Sequence, residues 1–221
     1  MYVLGISGSP RGQRSSTRRL VEKVLEGAQV AGAKVELVDL GNLKIDYCIA
    51  CDSCHATGSC SRMDEFGPLR DKLLAADGLV FGSPLYFSSV TAQLKTVIDR
   101  MADVIHCQMF LGKYACSVCV SGGAEYDLGT AYINDVLVRL GCSVVGSVGA
   151  SASIPGSMEA GEAAAFDLGN ELIRSIREKR TYPEQDPVHA EMRERFRQLI
   201  SLNKDRWPHE YNYWCAMKWL D

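Results

Sequence analysis

Four cysteines lie close together in the first third of the chain, at Cys48, Cys51, Cys54 and Cys60. Their spacing, C-x2-C-x2-C-x5-C, lets one tight loop offer three sulfurs to the same inorganic group, and a fourth thiol returns after a short glycine-containing segment. Four cysteinates are the ligand set of a cubane iron–sulfur cluster. A zinc site also uses four thiolates but usually draws them from two separated C-x2-C pairs. We therefore predict a 4Fe–4S cluster in loop 48–60, with zinc, another metal or no metal as alternatives.

A second group of polar residues follows the first apolar run. Residues 1–6 are apolar and rich in β-formers, the segment Ser7-Gly-Ser-Pro-Arg-Gly comes next, and helical spacing of apolar residues begins at about Ser16. A buried strand that ends in such a turn and leads into a helix opens a phosphate-binding βα unit. Arg11 and the hydroxyls of residues 15–17 suit a phosphate monoester. The loop has neither the lysine of a Walker loop nor the G-x-G-x-x-G of a dinucleotide fingerprint, which leaves a plain βα turn as the alternative.

Strands and helices alternate along the chain in a way that positions these loops. The predicted strands are 1–6, 34–40, 78–82, 113–120 and 143–148. The first predicted helix begins near residue 16, and the others span about 65–76, 91–104, 128–140 and 158–180. This alternation indicates a parallel sheet covered on both faces, with the doubly wound order 2-1-3-4-5. Ligands of such sheets bind where strands one and three diverge. Loops 7–17 and 83–89 should meet there, with turn 121–123 beside them, and form a mononucleotide pocket.

Composition and charge exclude several classes of protein. The chain has 221 residues, 47% of them hydrophobic and 23% charged, and a net charge of −3. Weak, interspersed charge gives no electrostatic reason to expect nucleic acid or a membrane surface, and no apolar run approaches the roughly 18 residues of a membrane span. The N-terminus lacks signal-peptide regions. We expect a cytoplasmic protein, in which nine cysteines indicate metal or redox chemistry and not disulfides.

The last 41 residues differ in character from the rest. Residues 181–187 contain two prolines and are predicted to link a domain at 1–180 to an extension at 181–221. Residues 188–202 have the pattern of a charged amphipathic helix, and 207–219 contain three Trp and two Tyr. Because so much aromatic area is unfavourable in water, we expect this tail to dock on its own chain or on a partner subunit.

Several motifs together resemble those of the iron–sulfur flavoproteins. These motifs are Gly5-Ile-Ser-Gly-Ser-Pro-Arg, the four-cysteine loop, Ser83-Pro-Leu-Tyr and Ala92-Gln-Leu-Lys. The resemblance covers about residues 1–150. This family belongs to the flavodoxin-like superfamily, which also holds the NAD(P)H-dependent FMN reductases. It implies a flavodoxin-like five-stranded parallel sheet followed by a C-terminal helical, aromatic-rich extension.

The resemblance also implies FMN in the pocket and a 4Fe–4S cluster on the four cysteines. Phosphate binding falls to Ser9, Arg11, Ser16 and Thr17. The isoalloxazine would lie along Pro84, Leu85, Tyr86, Phe87 and Ser88, where backbone N–H groups could face the ring, and Ser121, Gly122 and Gly123 would approach from the other side. The aromatic side chains of Tyr86 and Phe87 are candidates either to shield the ring or to pack in the core. The phosphate loop is about one residue longer than the family's common form, so Ser15 competes with Ser16 and Thr17.

Three functions are compatible with these features. The first is an electron-transfer flavoprotein, for which the resemblance implies a homodimer or homotetramer and a ferredoxin-like electron donor. The second is an NAD(P)H-dependent FMN or quinone reductase whose cysteine loop is vestigial or binds zinc. The third is a cysteine-based metal or redox sensor on a flavodoxin scaffold. The intact cysteine loop favours the first over the second, and the complete pocket favours these two over the third.

The remaining cysteines and histidines are expected to have no part in the chemistry. Cys116 and Cys119 form a second C-x2-C, but three residues of separation along a strand turns them to opposite faces of the sheet. Packing roles are predicted for the other three thiols, Cys107, Cys142 and Cys215. His55, inside the cysteine loop, is expected to be exposed to solvent, with a hydrogen bond to a cluster sulfur as the alternative. No partner is evident for His106, His189 or His209.

Overall fold

Five parallel strands form a single sheet. The computed structural model describes residues 1–220, and its strands are β1 (Tyr2–Ser7), β2 (Lys34–Asp39), β3 (Gly78–Pro84), β4 (Tyr114–Ser121) and β5 (Ser143–Ser151). They pair in the order β2-β1-β3-β4-β5. The three central strands are buried along nearly their whole length, as expected of a parallel sheet covered by helices on both faces. The predicted doubly wound sheet is confirmed.

Nine α-helices cover the sheet and extend beyond it within residues 1–220. They are α1 (Ser16–Val30), α2 (Ser53–Thr57), α3 (Phe66–Ala75), α4 (Ala92–Asp99), α5 (Ala102–His106), α6 (Tyr126–Arg139), α7 (Ser157–Glu178), α8 (Asp186–Leu202) and α9 (Pro208–Ala216). Helices α1 and α7 pack on one face, and α3, α4 and α6 pack on the other. α1 and α7 approach closely because both contacts are at glycines: a Cβ on Gly27 would lie 2.0 Å from Phe166 O, and one on Gly169 would lie 2.0 Å from Val24 O.

The alternation of side chains along the strands separates the core into two layers. Cys116 packs with Val80 in the layer under α1 and α7. Cys119 lies on the other face, where its sulfur abuts Gly129 of α6. Both thiols are fully buried, which confirms their predicted packing role on opposite faces. Cys107 and Cys142 are buried as predicted. The prediction for Cys215 is wrong, because α9 turns this residue to solvent.

Two predicted element boundaries differ from the structure. The helix predicted over 91–104 is broken, because α4 ends at Asp99 and Met101 leaves the helical conformation before α5 begins. The break coincides with Arg100, whose buried side chain donates to the Asp64 carboxylate and to the backbone carbonyl of Asp46. Strand β5 continues to Ser151, three residues beyond its predicted end, because Gly149 to Ser151 still pair with β4.

The C-terminal segment packs on its own chain. Met192, Phe196 and Ile200 of α8 form a third apolar cluster with Trp214 of α9. The Trp214 indole Nε1 donates to His106 O at 3.0 Å, which satisfies the one polar group of this buried ring. Before α8, the Gln185 side chain accepts from Val144 N at 2.9 Å and donates to Val144 O at 2.8 Å, and so occupies the outer edge of β5. No helix within residues 1–220 has the length and apolar character that crossing a membrane requires.

The burial of Trp214 generates a prediction about stability. Trp214→Ala removes a fully buried ring and should lower the free energy of unfolding by about 3–5 kcal/mol. Leu202→Ala, at a side chain that is 85% exposed at the end of α8, is the control and should change it by less than about 0.5 kcal/mol. Urea unfolding followed by fluorescence and circular dichroism measures both. Similar losses in the two variants would contradict the docking of α9 on this chain.

Candidate functional site

The first candidate site is a cavity of about 310 Å³ where β1 and β3 diverge. We call it the switch-point cavity. Its lining residues come from the loops after β1, β3, β4 and β5, and they are Ser9, Arg11, Ser15, Ser16, Thr17, Pro84, Leu85, Tyr86, Val120, Ser121, Gly122 and Ala152. The volume falls in the range of small-molecule sites. Nine of the twelve residues predicted from the sequence line this cavity, and Phe87, Ser88 and Gly123 do not.

Hydroxyls and a helix N-terminus form one end of the switch-point cavity. Ser9, Ser15 and Thr17 are almost completely buried. The Ser15 hydroxyl accepts from Arg18 N at 3.1 Å and thus caps α1, whose first turn contains no acidic residue. The Ser9 hydroxyl accepts from Arg11 N at 3.3 Å. A helix N-terminus without acidic side chains, beside buried hydroxyls and an arginine, is a suitable site for a phosphate group.

The segment after β3 is a tight turn that projects from the molecule. Tyr86 N donates to Ser89 O at 2.9 Å and Ser89 N to Tyr86 O at 3.1 Å, and Phe87 and Ser88 adopt positive φ angles of 48° and 59°. Leu85 N donates to Val120 O at 2.9 Å. Phe87 is therefore fully exposed at the tip and does not pack in the core. Since the N–H groups of Leu85 and Tyr86 are already engaged, those free to meet a ligand here belong to Phe87 and Ser88.

The turn after β4 is held by its neighbours. The Ser153 hydroxyl donates to Gly122 O, Ser121 O accepts from Ala152 N at 2.8 Å, and the Ser121 hydroxyl donates to Gly123 O. A Cβ on Gly123 would lie 2.6 Å from the Glu125 carboxylate. That carboxylate ends a flexible, exposed side chain that can move away, so neither the turn nor the cavity requires glycine at this position.

Thr91 joins two of the loops around the cavity, although the sequence analysis gave it no role. Its hydroxyl donates to Gly8 O at 2.6 Å and also accepts from Leu94 N at 3.3 Å, which caps α4. Its backbone N donates to the Ser83 hydroxyl at 3.0 Å. The available signal was a threonine immediately before a helix, which is a common cap.

The second candidate site is a cavity of about 160 Å³, which we call the cysteine cavity. Loop 48–60 forms most of its lining, and all four predicted thiols take part: Cys48, Cys51, Cys54 and Cys60. None of the four is in a disulfide. Ala50 and Asp52 have positive φ angles of 52° and 59°, which fold the loop tightly enough to bring the thiols to one space. A set of four free thiols around one small cavity fits a four-iron cluster by its donor chemistry.

Two arginines and two aspartates, Asp52 and Asp99, line the cysteine cavity beside its thiols. Arg62 and Arg100 line it, and the Nε atoms of both are buried without an acceptor within residues 1–220. A hydrogen bond with the Ser61 hydroxyl lowers the pKa of Cys51, whereas burial raises the pKa of Cys54 to about 12. The Cys54 thiolate therefore requires a cation or metal to form at neutral pH, since burial disfavours its charged form.

Arg100, which directly follows α4, binds residues on both sides of the cysteine loop. Its side chain is fully buried, and its guanidinium donates to both carboxylate oxygens of Asp64, at 2.7 and 3.0 Å, and to Asp46 O at 2.8 Å. These two aspartates stand on either side of loop 48–60, and Asp46 N also donates to Asp64 at 2.9 Å. One guanidinium thus holds both ends of the loop together.

The histidine predictions are wrong at three positions. His55 is buried, with its Nδ1 2.5 Å from Glu210 Oε1, because α9 covers the cysteine loop. His106 Nδ1 lies 3.0 Å from the other oxygen of Glu210. His189 Nε2 lies 3.1 Å from Cys142 O. No sequence signal pointed to these pairs, since their members are far apart in the chain.

Comparison with known proteins identifies the family. Residues 1–156 match the family described as NADPH-dependent FMN reductase. Over 223 aligned residues the chain is 32% identical to an iron–sulfur flavoprotein of Archaeoglobus fulgidus, and the match covers 97% of each protein. The solved structure of a flavone reductase has a TM-score of 0.66 at 21% identity and covers 80% of this chain and 63% of that one. A flavodoxin, WrbA-like protein from Agrobacterium tumefaciens has a TM-score of 0.55 at 19% identity, covering 81% and 99%.

The two structural likenesses show the fold, which is flavodoxin-like as predicted. With its switch-point cavity, the molecule is a flavin-dependent oxidoreductase. The chain belongs to the NADPH-dependent FMN reductase family and to the iron–sulfur flavoproteins. The predicted family and enzyme class are thereby confirmed.

The anchoring role of Arg100 can be tested by Arg100→Met. This change keeps the volume but leaves Asp64 without its buried cation, and should lower the free energy of unfolding by about 3–5 kcal/mol. The control is Arg139→Met, which breaks an exposed pair with Asp135 and should cost less than about 1 kcal/mol. Chemical unfolding measures both losses. Equal, small losses would show that Arg100 does not hold the loop.

Proposed function

We propose that this protein transfers electrons between a donor such as ferredoxin and an acceptor, with FMN in the switch-point cavity and a 4Fe–4S cluster in the cysteine cavity. The observation that carries the proposal is the convergence of four free thiols on one small cavity in a chain of the FMN reductase family. When bound, the two cofactors supply the redox chemistry, and the protein contributes binding, orientation and electrostatics.

The residues proposed for the FMN are those of the sequence analysis, with roles adjusted to their positions. Arg11 and the hydroxyls of Ser9, Ser16 and Thr17 bind the phosphate at the start of α1. Pro84, Leu85 and Tyr86 flank the ring along one side of the cavity, and Ser121 and Gly122 flank the other. The free N–H groups of Phe87 and Ser88, in the turn that follows the lining residue Tyr86, are available to ring oxygen or nitrogen atoms. Gly123 O accepts from the Ser121 hydroxyl and so holds the second side of the cavity.

The cluster is proposed to bind Cys48, Cys51, Cys54 and Cys60. Arg62 and Arg100 are the two cations of the lining. Each is already paired with an aspartate, Asp46 and Asp64 respectively, and its Nε–H is the donor left for the cluster. The loop backbone also contributes, since Ala50 N donates to the Cys48 sulfur at 3.4 Å. Hydrogen bonds to ligand sulfurs are among the means by which proteins set cluster potentials.

Helix α4 supports a connection between the two cavities. Its cap Thr91 binds the loops of the switch-point cavity, and Asp99 and Arg100, at its other end, line the cysteine cavity. Eight helical residues span about 12 Å. One short rigid element thus separates the two linings, so a change at one cavity can reach the other without crossing a flexible segment.

We base the proposed oligomeric state on exposed apolar side chains and the proposed cellular compartment on the free thiols. Exposed apolar side chains occur in the segments that follow β3, β4 and β5, at Phe87, Leu128 and Ile154. Their exposure supports a subunit interface there, in a homodimer or homotetramer. All nine cysteines are free, which supports a reducing compartment and therefore the cytoplasm.

A second candidate function is favoured by the family match itself. The NADPH-dependent FMN reductase family covers residues 1–156, including the whole switch-point cavity. An NAD(P)H-dependent FMN or quinone reductase would use this cavity alone and would not need iron. Anaerobic purification followed by iron, sulfide, zinc and flavin analysis separates the two functions. Zinc or no metal, with rapid flavin reduction by NAD(P)H, would favour the reductase.

The phosphate assignment predicts the behaviour of Arg11→Ala. Removal of this charged partner should weaken FMN binding by roughly 1–3 kcal/mol. Arg14→Ala, in the same loop but outside the lining, should leave binding unchanged. Fluorescence titration of flavin-free protein with FMN measures both affinities. Wild-type affinity in Arg11→Ala would refute the phosphate role.

The cluster assignment predicts that the two cofactors can be lost separately. Cys54→Ala should lower bound iron and acid-labile sulfide sharply while FMN stays near one per chain, because loop 48–60 contributes nothing to the switch-point cavity. Cys116→Ala removes a buried thiol on β4 and serves as the control, with full iron content expected. Iron loss of equal size in both variants would mean that the wrong cysteines have been assigned.

A further inference from the structure

A buried carboxylate joins the C-terminal helix to the cysteine loop. Glu210 of α9 is completely buried, and its two oxygens lie 2.5 Å from His55 Nδ1 and 3.0 Å from His106 Nδ1. His55 directly follows Cys54, and His106 ends α5. Three elements that are distant in sequence therefore meet at one side chain, and the switch-point cavity uses none of these residues.

The geometry of this group is that of hydrogen bonding, not metal ligation. The two imidazole rings are stacked, with centroids 4.5 Å apart and planes 15° from parallel. A metal ion bound to an imidazole nitrogen lies close to the plane of that ring, so two stacked rings cannot both direct a lone pair at one ion. They can each donate Nδ1–H to one oxygen of the same carboxylate. Burial alone would raise the pKa of Glu210, but the bonds from His106 and His55 outweigh it and lower that pKa, so Glu210 accepts both bonds as a carboxylate.

Contacts of the tail alternate with the cysteines along the loop. Arg206 pairs with Asp52, Glu210 bonds to His55, and the His209 ring lies against Gly58 so closely that a Cβ there would be 2.4 Å from its Cε1. Asp52 and His55 directly follow Cys51 and Cys54, and Gly58 lies two residues before Cys60. The Trp207 ring covers His55, with centroids 4.7 Å apart. The tail therefore contacts the loop where its thiols must be held, not only at its ends.

We propose that Glu210 is a positioning residue of the iron–sulfur site: through His55 it fixes the segment of the cysteine loop that carries Cys51 and Cys54. This makes the C-terminal extension a structural part of the cluster site. The role in cluster binding rests on the proposed function, whereas the positioning of the loop can be measured with or without iron.

The two histidines offer a matched pair of variants. His55→Phe and His106→Phe each keep a flat ring in the stack and each remove one hydrogen bond to Glu210. Only His55 lies in the cysteine loop. If Glu210 positions the loop, His55→Phe should act like Glu210→Gln on loop 48–60, and His106→Phe should have a much smaller effect. If Glu210 only docks the tail, the two histidine variants should behave alike.

Hydrogen–deuterium exchange on the full chain as purified is the first measurement. Glu210→Gln and His55→Phe should each speed amide exchange in residues 53–58 by about tenfold, the scale of one lost hydrogen bond to a charged group, with α1 unchanged. Equal exchange in His55→Phe and His106→Phe, or wild-type exchange in Glu210→Gln, would overturn the proposal. Unchanged exchange in α1 shows that each variant is folded.

Iron release from anaerobically reconstituted protein is the second measurement. A chelator should extract iron about tenfold faster from Glu210→Gln and His55→Phe than from wild type or His106→Phe. The electron paramagnetic resonance spectrum of the reduced cluster should change in Glu210→Gln and His55→Phe only. Wild-type release and spectra in those two variants would overturn the role at the cluster. If wild-type protein takes up no iron, the proposed function fails, and the exchange measurement still decides whether Glu210 positions the loop.

Discussion

The buried guanidinium of Arg100 ties the cysteine loop to the rest of the molecule. A loop that projects from a sheet edge has few backbone partners, and most of residues 44–52 lie outside regular structure. Arg100 compensates by binding Asp64 and the backbone carbonyl of Asp46, which brings the two ends of the loop together at the end of α4. An arginine can do this because its planar group offers several donors in fixed directions and remains charged when buried. The break between α4 and α5 lies at the same residue.

The two cavities are formed by different physical means. The switch-point cavity follows from topology, because strand order places the loops after β1 and β3 side by side and the N-terminus of α1 between them. Thr91 adds hydrogen bonds that link those two loops, at Gly8 and Ser83. The cysteine cavity depends on side chains, since Arg100 holds the two ends of its loop and the tail packs against that loop at Asp52, His55 and Gly58. The switch-point cavity is therefore a consequence of the fold, whereas the cysteine cavity depends on side-chain contacts that the fold does not require.

The C-terminal extension explains how charged groups can be buried beside the cysteine loop. A carboxylate and two imidazoles would be costly to bury singly, but together they satisfy one another's hydrogen bonds, and Trp207 and Phe196 exclude water around the rings. The aromatic residues of the tail therefore do more than add apolar area. They exclude water from the two hydrogen bonds that join Glu210 to His55 and His106, which strengthens both bonds. They also connect the extension to the proposed iron–sulfur site.

Local patterns in the sequence determined the strands, their order, the polar turns at the switch point and the four cysteines of the second cavity. The strands and turns depend on periodicity and turn chemistry within a few residues, and the strand order follows from the rules for alternating strands and helices. The predicted element ends agree with the structure to within about three residues except at Arg100, whereas α2 and α9 were not predicted. Only the tertiary structure decided that His55 is buried, that Phe87 stands free at the tip of a turn, and that Cys215 faces solvent. The partner of His55 lies 155 residues away. Such a contact leaves no local trace, because it is set by how α9 packs on the finished domain and not by the residues around either member.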